Sequence, residues 1–237
     1  MREIIRDCTV YDLKSVTIVE IMGRDTGWLT LAAALPRLYG ETAPHLVYLP
    51  EVPFTEERFV EDVRRVQAQH STVIVAVSEG VRPVQEDDCT AEATDGFGHK
   101  QLAGAGKCLE DIVRRRIGCK VRAVELNTPQ RCASHLASAT DVQEAEQAGM
   151  AAVQAAMEGA TGQMVVFTRS DHPYRLHCTA IPVAQVANRV KYVPREWINE
   201  AGNDVLPPAL EYVRPLVEGE LPLRTEGGLP RHFRLQY

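Results

Sequence analysis

Short apolar runs rich in β-branched residues alternate along the chain with longer segments whose apolar residues recur at helical spacing. The runs predict strands, because β-branched side chains pack well on a pleated surface, and they lie at 17–21, 72–77 and 121–126. The longer segments predict helices at 26–35, 55–69 and 107–117. Strands joined by helices in this order make right-handed crossovers, so the pattern predicts an α/β fold with a mainly parallel sheet flanked by helices.

The helix at 55–69 has the best-defined start. Thr55 suits the N-cap position, because its hydroxyl can accept a hydrogen bond from a backbone N–H of the first turn. Phe54 and Phe59 flank this cap at the spacing of a hydrophobic staple. We therefore expect the helix to begin directly after Thr55.

The chain becomes rich in alanine after the third predicted strand. Thr140 and Gln143 form a capping box, which predicts a helix that extends to a stop at Gly159. Its inward side should be small and closely packed, and it comprises Val142, Ala145, Ala152, Val153 and Ala156. A further strand is predicted at 164–168, and repeated prolines beyond it predict an irregular extension with short helices.

Charge and cysteine usage narrow the range of partners. The formal net charge of -6 argues against nucleic acid or an anionic membrane as the main partner, so an anion site must be built from a few well-placed arginines. No apolar stretch is long enough to span a bilayer. Six cysteines are scattered without a C-x-x-C pair or a secretory signal, so we expect reduced thiols and a cytoplasmic location. The seven histidines show no metal-ligand spacing.

Two predicted strands end in residues suited to a ligand. Met22, Gly23 and Arg24 follow the strand at 17–21, at the edge where ligands bind in a parallel sheet. A glycine beside an arginine suits a phosphorylated or otherwise anionic small molecule. Glu79 follows the next strand, where a carboxylate can accept hydrogen bonds from hydroxyl groups of a ligand. The plain alternatives are a surface arginine that caps a turn and a solvated loop glutamate.

Several motifs together resemble the 6-phosphofructokinase family. V-E-I-M-G-R followed by G-W resembles the fructose-6-phosphate signature of that family. Four more motifs recur in the family's order and spacing, namely IVAVSEG at 74–80, DGFGHKQLAG at 95–104, KVRAVELNTPQRCASHLASATD at 120–141 and VPREWIN at 193–199. The resemblance covers nearly the whole chain. It implies a phosphofructokinase-like fold and transfer of a phosphoryl group, with Mg2+, from pyrophosphate or ATP to the 1-hydroxyl of fructose 6-phosphate, a step of glycolysis.

The resemblance also implies a role for individual residues. Met22, Gly23 and Arg24 would form the sugar-phosphate side of the site, with Arg24 stabilising charge on the transferring phosphoryl group. Glu79 would bind the sugar. The remaining substrate-binding residues carried over from the family are Cys119, Arg122 and Arg131, the two arginines as ligands of the 6-phosphate.

Two departures from the family pattern bear on the donor and the assembly. Cys119 stands where relatives that use pyrophosphate often have tyrosine, and Thr128 stands where short bacterial forms have a phosphate-binding histidine. The second departure places the chain outside the short ATP-dependent group and favours pyrophosphate over ATP. In the family, one arginine of this region reaches a neighbouring subunit's site, so the resemblance implies a homo-oligomer with shared sites.

Motifs of the phosphoryl-donor half do not occur in this sequence. The family's G-G-D-G loop and its T-I-D-N-D segment lie upstream of the sugar signature, whereas only fifteen residues precede Val16 here. We therefore expect a carboxyl-terminal part of such an enzyme, incomplete relative to the family and inactive alone. The general base and the Mg2+ site are expected in the absent upstream half, so no metal ligand is assigned in this chain.

The resemblance divides the chain into three parts. Residues 1–130 would form the α/β domain that binds fructose 6-phosphate, residues 131–185 would pack on the absent donor domain, and residues 186–237 would form a C-terminal extension. The alternative interpretation, from a different functional class, is a non-catalytic module that binds a sugar phosphate or regulates an enzyme.

Overall fold

The computed structural model describes residues 1–10, 12–82 and 104–232. The chain divides into two compact units, one formed by Met1–Gln130 with Lys191–Glu211 and the other by Arg131–Val190 with Tyr212–Tyr237. Most of the DGFGHKQLAG motif and Cys89 lie outside the described residues. The three-part division expected from the sequence stays a prediction, although residues beyond 186 contribute to both units.

A four-stranded parallel sheet organises the first unit. Its strands are β1 (Ser15–Ile21), β2 (Leu46–Tyr48), β3 (Thr72–Ser78) and β4 (Lys120–Glu125). Their order is β2-β3-β1-β4, so β1 is central and pairs with β3 on one side and β4 on the other. The predicted α/β fold with a mainly parallel sheet is confirmed.

Five helices accompany this sheet along the chain. They are α1 (Arg2–Cys8), α2 (Trp28–Ala32), α3 (Glu56–Gln67), α4 (Ala105–Arg116) and α5 (Asn127–Cys132). The predicted single helix at 26–35 is instead α2 followed by a 3-10 helix at Leu35–Tyr39. Pro36 explains the break, since it offers no N–H to continue an α-helical ladder.

The start of α3 agrees with the sequence prediction. The Thr55 hydroxyl accepts a hydrogen bond from the Arg58 N–H at 3.4 Å. The rings of Phe54 and Phe59 pack with their centroids 5.7 Å apart, which is the contact expected of a hydrophobic staple. Phe59 is fully buried and joins the main core cluster, together with Val16, Ile18, Val73, Val75, Leu109 and Ile112.

The second unit is built from a helix and a hairpin. Helix α6 (Ala139–Met157) precedes β5 (Gln163–Asp171), which pairs antiparallel with β6 (Tyr174–Pro182). Gly159 has a φ of 85° just beyond α6, so the predicted helix stop is correct. Strand β6 was not predicted, although its residues alternate between part-buried and exposed positions.

The start of α6 differs from the sequence prediction. The N-cap is Ser138, whose hydroxyl accepts from the Asp141 N–H at 3.1 Å, whereas the Thr140 hydroxyl donates to the Glu218 carbonyl. Within this chain the side named from the sequence is largely uncovered, since Val142 and Val153 are 42% and 61% exposed. Packing of this side on a donor domain absent from the chain stays a prediction. The part-buried positions are Glu144, Ala148, Ala151 and Ala155. An alanine-rich helix has no strong apolar stripe, so the sequence does not specify which side packs.

The C-terminal residues form short elements, as predicted. They comprise 3-10 helices at Val183–Gln185, Arg195–Trp197 and Arg214–Val217, helix α7 (Pro207–Val213), and the strands β7 (Thr225–Glu226) and β8 (Leu229–Pro230). A further 3-10 turn, Ser134–Leu136, lies between α5 and α6. Within the described ranges, every helix is too short or too polar to cross a membrane.

Candidate functional site

The sheet brings the two predicted ligand segments together at its carboxyl edge. Ile21 at the end of β1 pairs in register with Ser78 at the end of β3, and the Glu79 N–H donates to the Ile21 carbonyl at 3.0 Å. Glu79 Oε1 then accepts two backbone hydrogen bonds, from Gly23 N–H at 3.0 Å and from Arg24 N–H at 2.7 Å. We name residues 22–27 the edge loop. The Glu79 carboxylate fixes its first half.

Backbone geometry explains the residue types around Arg24. Arg24 has a φ of 53°, a left-handed conformation that an L side chain adopts only where its surroundings hold it. Gly80 lies so close to this residue that an added Cβ would overlap the Arg24 carbonyl oxygen. The loop therefore needs both the Glu79 acceptor and the missing side chain at Gly80. The Arg24 residue itself is exposed, so its guanidinium is accessible to a ligand.

A second side chain, Gln130, fixes the first residue of the edge loop. Gln130 Oε1 accepts from the Met22 N–H at 3.0 Å, and its Nε2 donates to the Met22 carbonyl at 3.2 Å. Sequence reasoning did not identify Gln130, because its partner lies 108 residues earlier. The motif N-T-P-Q-R offered one indication, since it placed this amide in the short helix α5 that follows β4, the strand beside β1.

Glu51 holds the other end of the edge loop. Its Oε1 accepts from the Gly27 N–H at 2.9 Å and from the Val193 N–H at 3.0 Å. Glu51 follows β2, so it comes from the same carboxyl edge as Glu79. Sequence reasoning missed it, although an acid shortly after a buried strand is the pattern that had identified Glu79.

Glu20 is a buried acid of β1 beside this edge. Its two carboxylate oxygens accept from the Gly104 N–H at 3.1 Å and the Gly106 N–H at 2.7 Å, at the start of α4. Burial raises the pKa of Glu20, and the neighbouring carboxylates of Glu125 and Glu79 raise this pKa further, while the Gly106 N–H opposes them. Its partners are those of a helix-capping residue, so we assign Glu20 a structural role.

These hydrogen bonds limit how the edge loop can recognise a ligand. The N–H groups of Met22, Gly23 and Arg24 already donate to protein side chains, so they do not form a free cradle for an anion. An anion at this edge therefore meets the Arg24 guanidinium. Glu79 contributes an acceptor-only carboxylate that suits hydroxyl groups. The arrangement can pair one charged group and one or more hydroxyls of the same molecule.

The structure places Arg122 away from the edge loop. Arg122 pairs in register with Thr17, six residues before Gly23, which corresponds to roughly 20 Å along a strand. Its Nε donates to the Thr17 hydroxyl at 3.3 Å, and its guanidinium also contacts Cys8 and forms an ion pair with Asp7. The Asp7 hydrogen bond is the main cause that raises the pKa of Arg122. Within one chain, Arg122 therefore does not join the edge loop.

Cys119 also lies apart from this edge. Cys119 precedes β4 at the amino end of the sheet, where its Sγ accepts from Gln67 Nε2 at 3.3 Å and packs against the core. Arg131 is exposed on α5 and belongs to the second unit. The structure thus brings together Met22, Gly23, Arg24 and Glu79.

The described residues of this edge form no evident magnesium site. Among the residues that the structure describes, no three or more His, Cys, Asp or Glu side chains are grouped so that they could hold a metal ion. The family that the sequence resembles is generally Mg2+-dependent. The described residues do not fit such a site, so none of them is assigned as a metal ligand.

The fold and the edge loop define an α/β protein with a candidate ligand site at the carboxyl edge of a parallel sheet. The Phosphofructokinase family model matches residues 3–156. The chain belongs to the phosphofructokinase family.

Individual relatives agree with this assignment. Pyrophosphate--fructose 6-phosphate 1-phosphotransferase of Halomonas elongata is 36% identical over 223 residues, which cover 93% of this chain and 53% of that protein. ATP-dependent 6-phosphofructokinase 2 of Streptomyces coelicolor is 31% identical over 188 residues, covering 78% and 51%. The crystal structure of pyrophosphate-dependent phosphofructokinase from Marinobacter aquaeolei superposes with a TM-score of 0.78 at 31% identity, covering 97% and 54%. The chain spans about half the length of these relatives.

Proposed function

We propose that this chain supplies the acceptor-sugar site of a phosphofructokinase, in which fructose 6-phosphate receives a phosphoryl group at its 1-hydroxyl. The observation that carries the proposal is the edge loop, where Glu79 presents a hydroxyl acceptor beside the exposed Arg24 guanidinium. In this role, Glu79 binds sugar hydroxyls. Arg24 faces both the acceptor sugar and the transferring phosphoryl group, and it stabilises the charge that develops on that group.

The names and sequence identities of the relatives support pyrophosphate as the phosphoryl donor. The four relatives from Halomonas elongata, Xanthomonas campestris, Methylococcus capsulatus and Rhodospirillum rubrum are pyrophosphate-dependent by name and 35–37% identical to this chain. Two ATP-dependent relatives, from Streptomyces coelicolor and Mycobacterium bovis, are 31% and 32% identical. The general base and the Mg2+ site belong, in this proposal, to residues outside this chain.

Arg122 and Arg131 act at the 6-phosphate in the complete enzyme. The position of Arg122 along β4, far from its own edge loop, supports a role at the site of a neighbouring subunit. The assembly is then a homo-oligomer with shared sites. In the single chain, the Arg122 guanidinium pairs with Asp7. In the assembled enzyme, it would leave Asp7 and bind the 6-phosphate instead.

Calorimetric titration of the 237-residue chain tests the proposal. Fructose 6-phosphate should bind, and fructose, which lacks the phosphate, should bind far more weakly. A coupled assay for fructose 1,6-bisphosphate, with Mg2+ and either donor, separates the two functional classes. Binding without turnover fits the acceptor-site role and also the alternative of a non-catalytic sugar-phosphate module. Absence of fructose 6-phosphate binding contradicts both.

A further inference from the structure

Glu51 links two segments that are distant in sequence. One carboxylate oxygen, Oε1, accepts from Gly27 at the end of the edge loop and from Val193, 142 residues later than Glu51. The other oxygen, Oε2, is buried and makes no hydrogen bond. A buried carboxylate oxygen without a partner is costly, so the two hydrogen bonds to Oε1 must offset this cost.

Gly27 is shaped to accept this carboxylate. A Cβ added at Gly27 would lie 2.8 Å from Glu51 Oε2 and 2.7 Å from Leu49 Cδ2, so a side chain there would displace both neighbours. The glycine therefore allows Glu51 to approach the loop backbone closely. The same residue marks the start of α2, which connects the loop to the rest of the first unit.

Trp28 also contacts the C-terminal segment that contains Val193, the second partner of Glu51. Its indole Nε1 donates to the Lys191 carbonyl at 2.7 Å, and its ring lies 6.0 Å from the Trp197 ring in an edge-to-face arrangement. Residues 191–197, which we name the strap, thus contact the loop through Glu51 and through Trp28. The strap belongs to the same compact unit as the edge loop.

We propose that Glu51 is a positioning residue of the sugar-phosphate site, which fixes the edge loop to the strap and so sets the orientation of Arg24. The inference rests on the proposed function of the edge loop. Glu79 and Gln130 hold residues 22–24 of the loop, and Glu51 holds its far end. Without Glu51, the segment between Arg24 and Gly27 loses the hydrogen bond at its far end, so the Arg24 side chain samples more orientations.

Variants of Glu51 separate this role from simple stabilisation. Glu51→Ala removes the acceptor and should weaken fructose 6-phosphate binding about tenfold, as expected for the loss of charge-assisted hydrogen bonds. Glu51→Gln keeps an oxygen that can accept from Gly27 and Val193, so it should restore most of the affinity. Glu56→Ala is the matched control. The Glu56 carboxylate accepts a hydrogen bond at 2.8 Å from Arg116, which is a residue outside both the edge loop and the strap. This variant should leave affinity unchanged.

Amide hydrogen exchange gives a second readout that needs no ligand. In Glu51→Ala, the amides of Gly27, Val193 and also Arg24 should exchange faster, while Glu51→Gln and Glu56→Ala should match the unmodified chain. If Arg24 exchange and sugar-phosphate affinity are both unchanged in Glu51→Ala, the positioning role is overturned. If the unmodified chain fails to bind fructose 6-phosphate, the proposed function fails. Faster Arg24 exchange in Glu51→Ala would then still support the structural part of the inference, and unchanged exchange would overturn it.

Discussion

Glu79 Oε1 lies 2.7 Å from the backbone nitrogen of Arg24, so the candidate sugar acceptor also holds the candidate charge-stabilising arginine in place. The two residues come from neighbouring parallel strands whose ends pair in register. Because Arg24 has a positive φ, the Glu79 hydrogen bonds offset a backbone conformation that is unfavourable in isolation. Substitution of Glu79 should therefore affect both binding and stability.

Two variants of Glu79 separate these effects. Glu79→Ala leaves the N–H groups of Gly23 and Arg24 without their acceptor, so the free energy of unfolding should fall by about 1 to 3 kcal/mol. Glu79→Gln keeps an amide oxygen and should cost less than about 1 kcal/mol, yet it loses the carboxylate and should weaken fructose 6-phosphate binding roughly three- to tenfold. Chemical denaturation and calorimetric titration measure the two quantities. Equal stability for the Ala and Gln variants would contradict the hydrogen bonds described.

Glycine substitutions test the close approach at the edge loop. Gly80→Ala introduces a Cβ that overlaps the Arg24 carbonyl oxygen, and overpacking of this kind should destabilise the chain by about 1 to 3 kcal/mol. Gly149→Ala is the matched control, since Gly149 lies within α6 with nothing near its added Cβ. It should stabilise the chain by about 0.5 to 1 kcal/mol. Thermal unfolding of both variants measures these changes in stability. An unchanged stability of Gly80→Ala would contradict the close approach of Gly80 to the Arg24 carbonyl.

Acidification should destabilise the first unit through His45. Burial lowers the pKa of His45 from 6.5 to about 4, and the neighbouring His70 and Arg37 act in the same direction. The unfolded chain therefore binds a proton that the folded chain resists. The stability contributed by neutral His45 is complete above pH 6.5 and is lost as the pH falls toward about 4. The partly exposed ring is screened, so we expect a loss of about 1 to 2 kcal/mol.

His45→Asn provides the comparison for this pH dependence, because an amide oxygen can replace Nδ1 as acceptor of the Ile74 N–H. The stability contributed by Glu20 depends on pH in the opposite direction. Because the pKa of Glu20 is raised in the folded chain, this contribution is lost as the pH rises through the folded-state pKa. The difference between the variant and the unmodified chain removes the Glu20 effect. Denaturation curves between about pH 4 and 7 should converge toward low pH, and parallel curves would contradict the depressed pKa of His45.

Arg122→Ala should have different effects in single chains and in an assembled enzyme. In single chains, Arg122 lies roughly 20 Å from the edge loop, so sugar-phosphate affinity should not change. Its exposed ion pair with Asp7 contributes at most about 1 kcal/mol of stability. In a full-length oligomer, fructose 6-phosphate affinity should fall about ten- to a hundredfold while donor affinity is retained. Equal loss for both substrates would remove Arg122 from the phosphate site.

The sequence predicts the parallel sheet and part of the site for clear physical reasons. Strand β3 is an apolar run, and strand β1 is rich in β-branched residues with one acid, Glu20. Residues that follow such parallel strands meet at one edge of the sheet, so Met22 to Arg24 and Glu79 could be grouped from the sequence. Gln130 and Glu51 could not, because their hydrogen bonds join residues that only the tertiary fold brings together.

The most direct test of the central claim is the fructose 6-phosphate affinity of Arg24→Ala, measured by calorimetric titration against the unmodified chain. Arg64→Ala serves as the control, because Arg64 is an exposed arginine of α3 that bonds the Arg116 carbonyl. The account predicts that Arg24→Ala weakens binding about ten- to a hundredfold without a comparable loss of stability, and that Arg64→Ala leaves affinity unchanged. Equal affinity in the Arg24→Ala variant and the unmodified chain would contradict a sugar-phosphate site at this edge of the sheet.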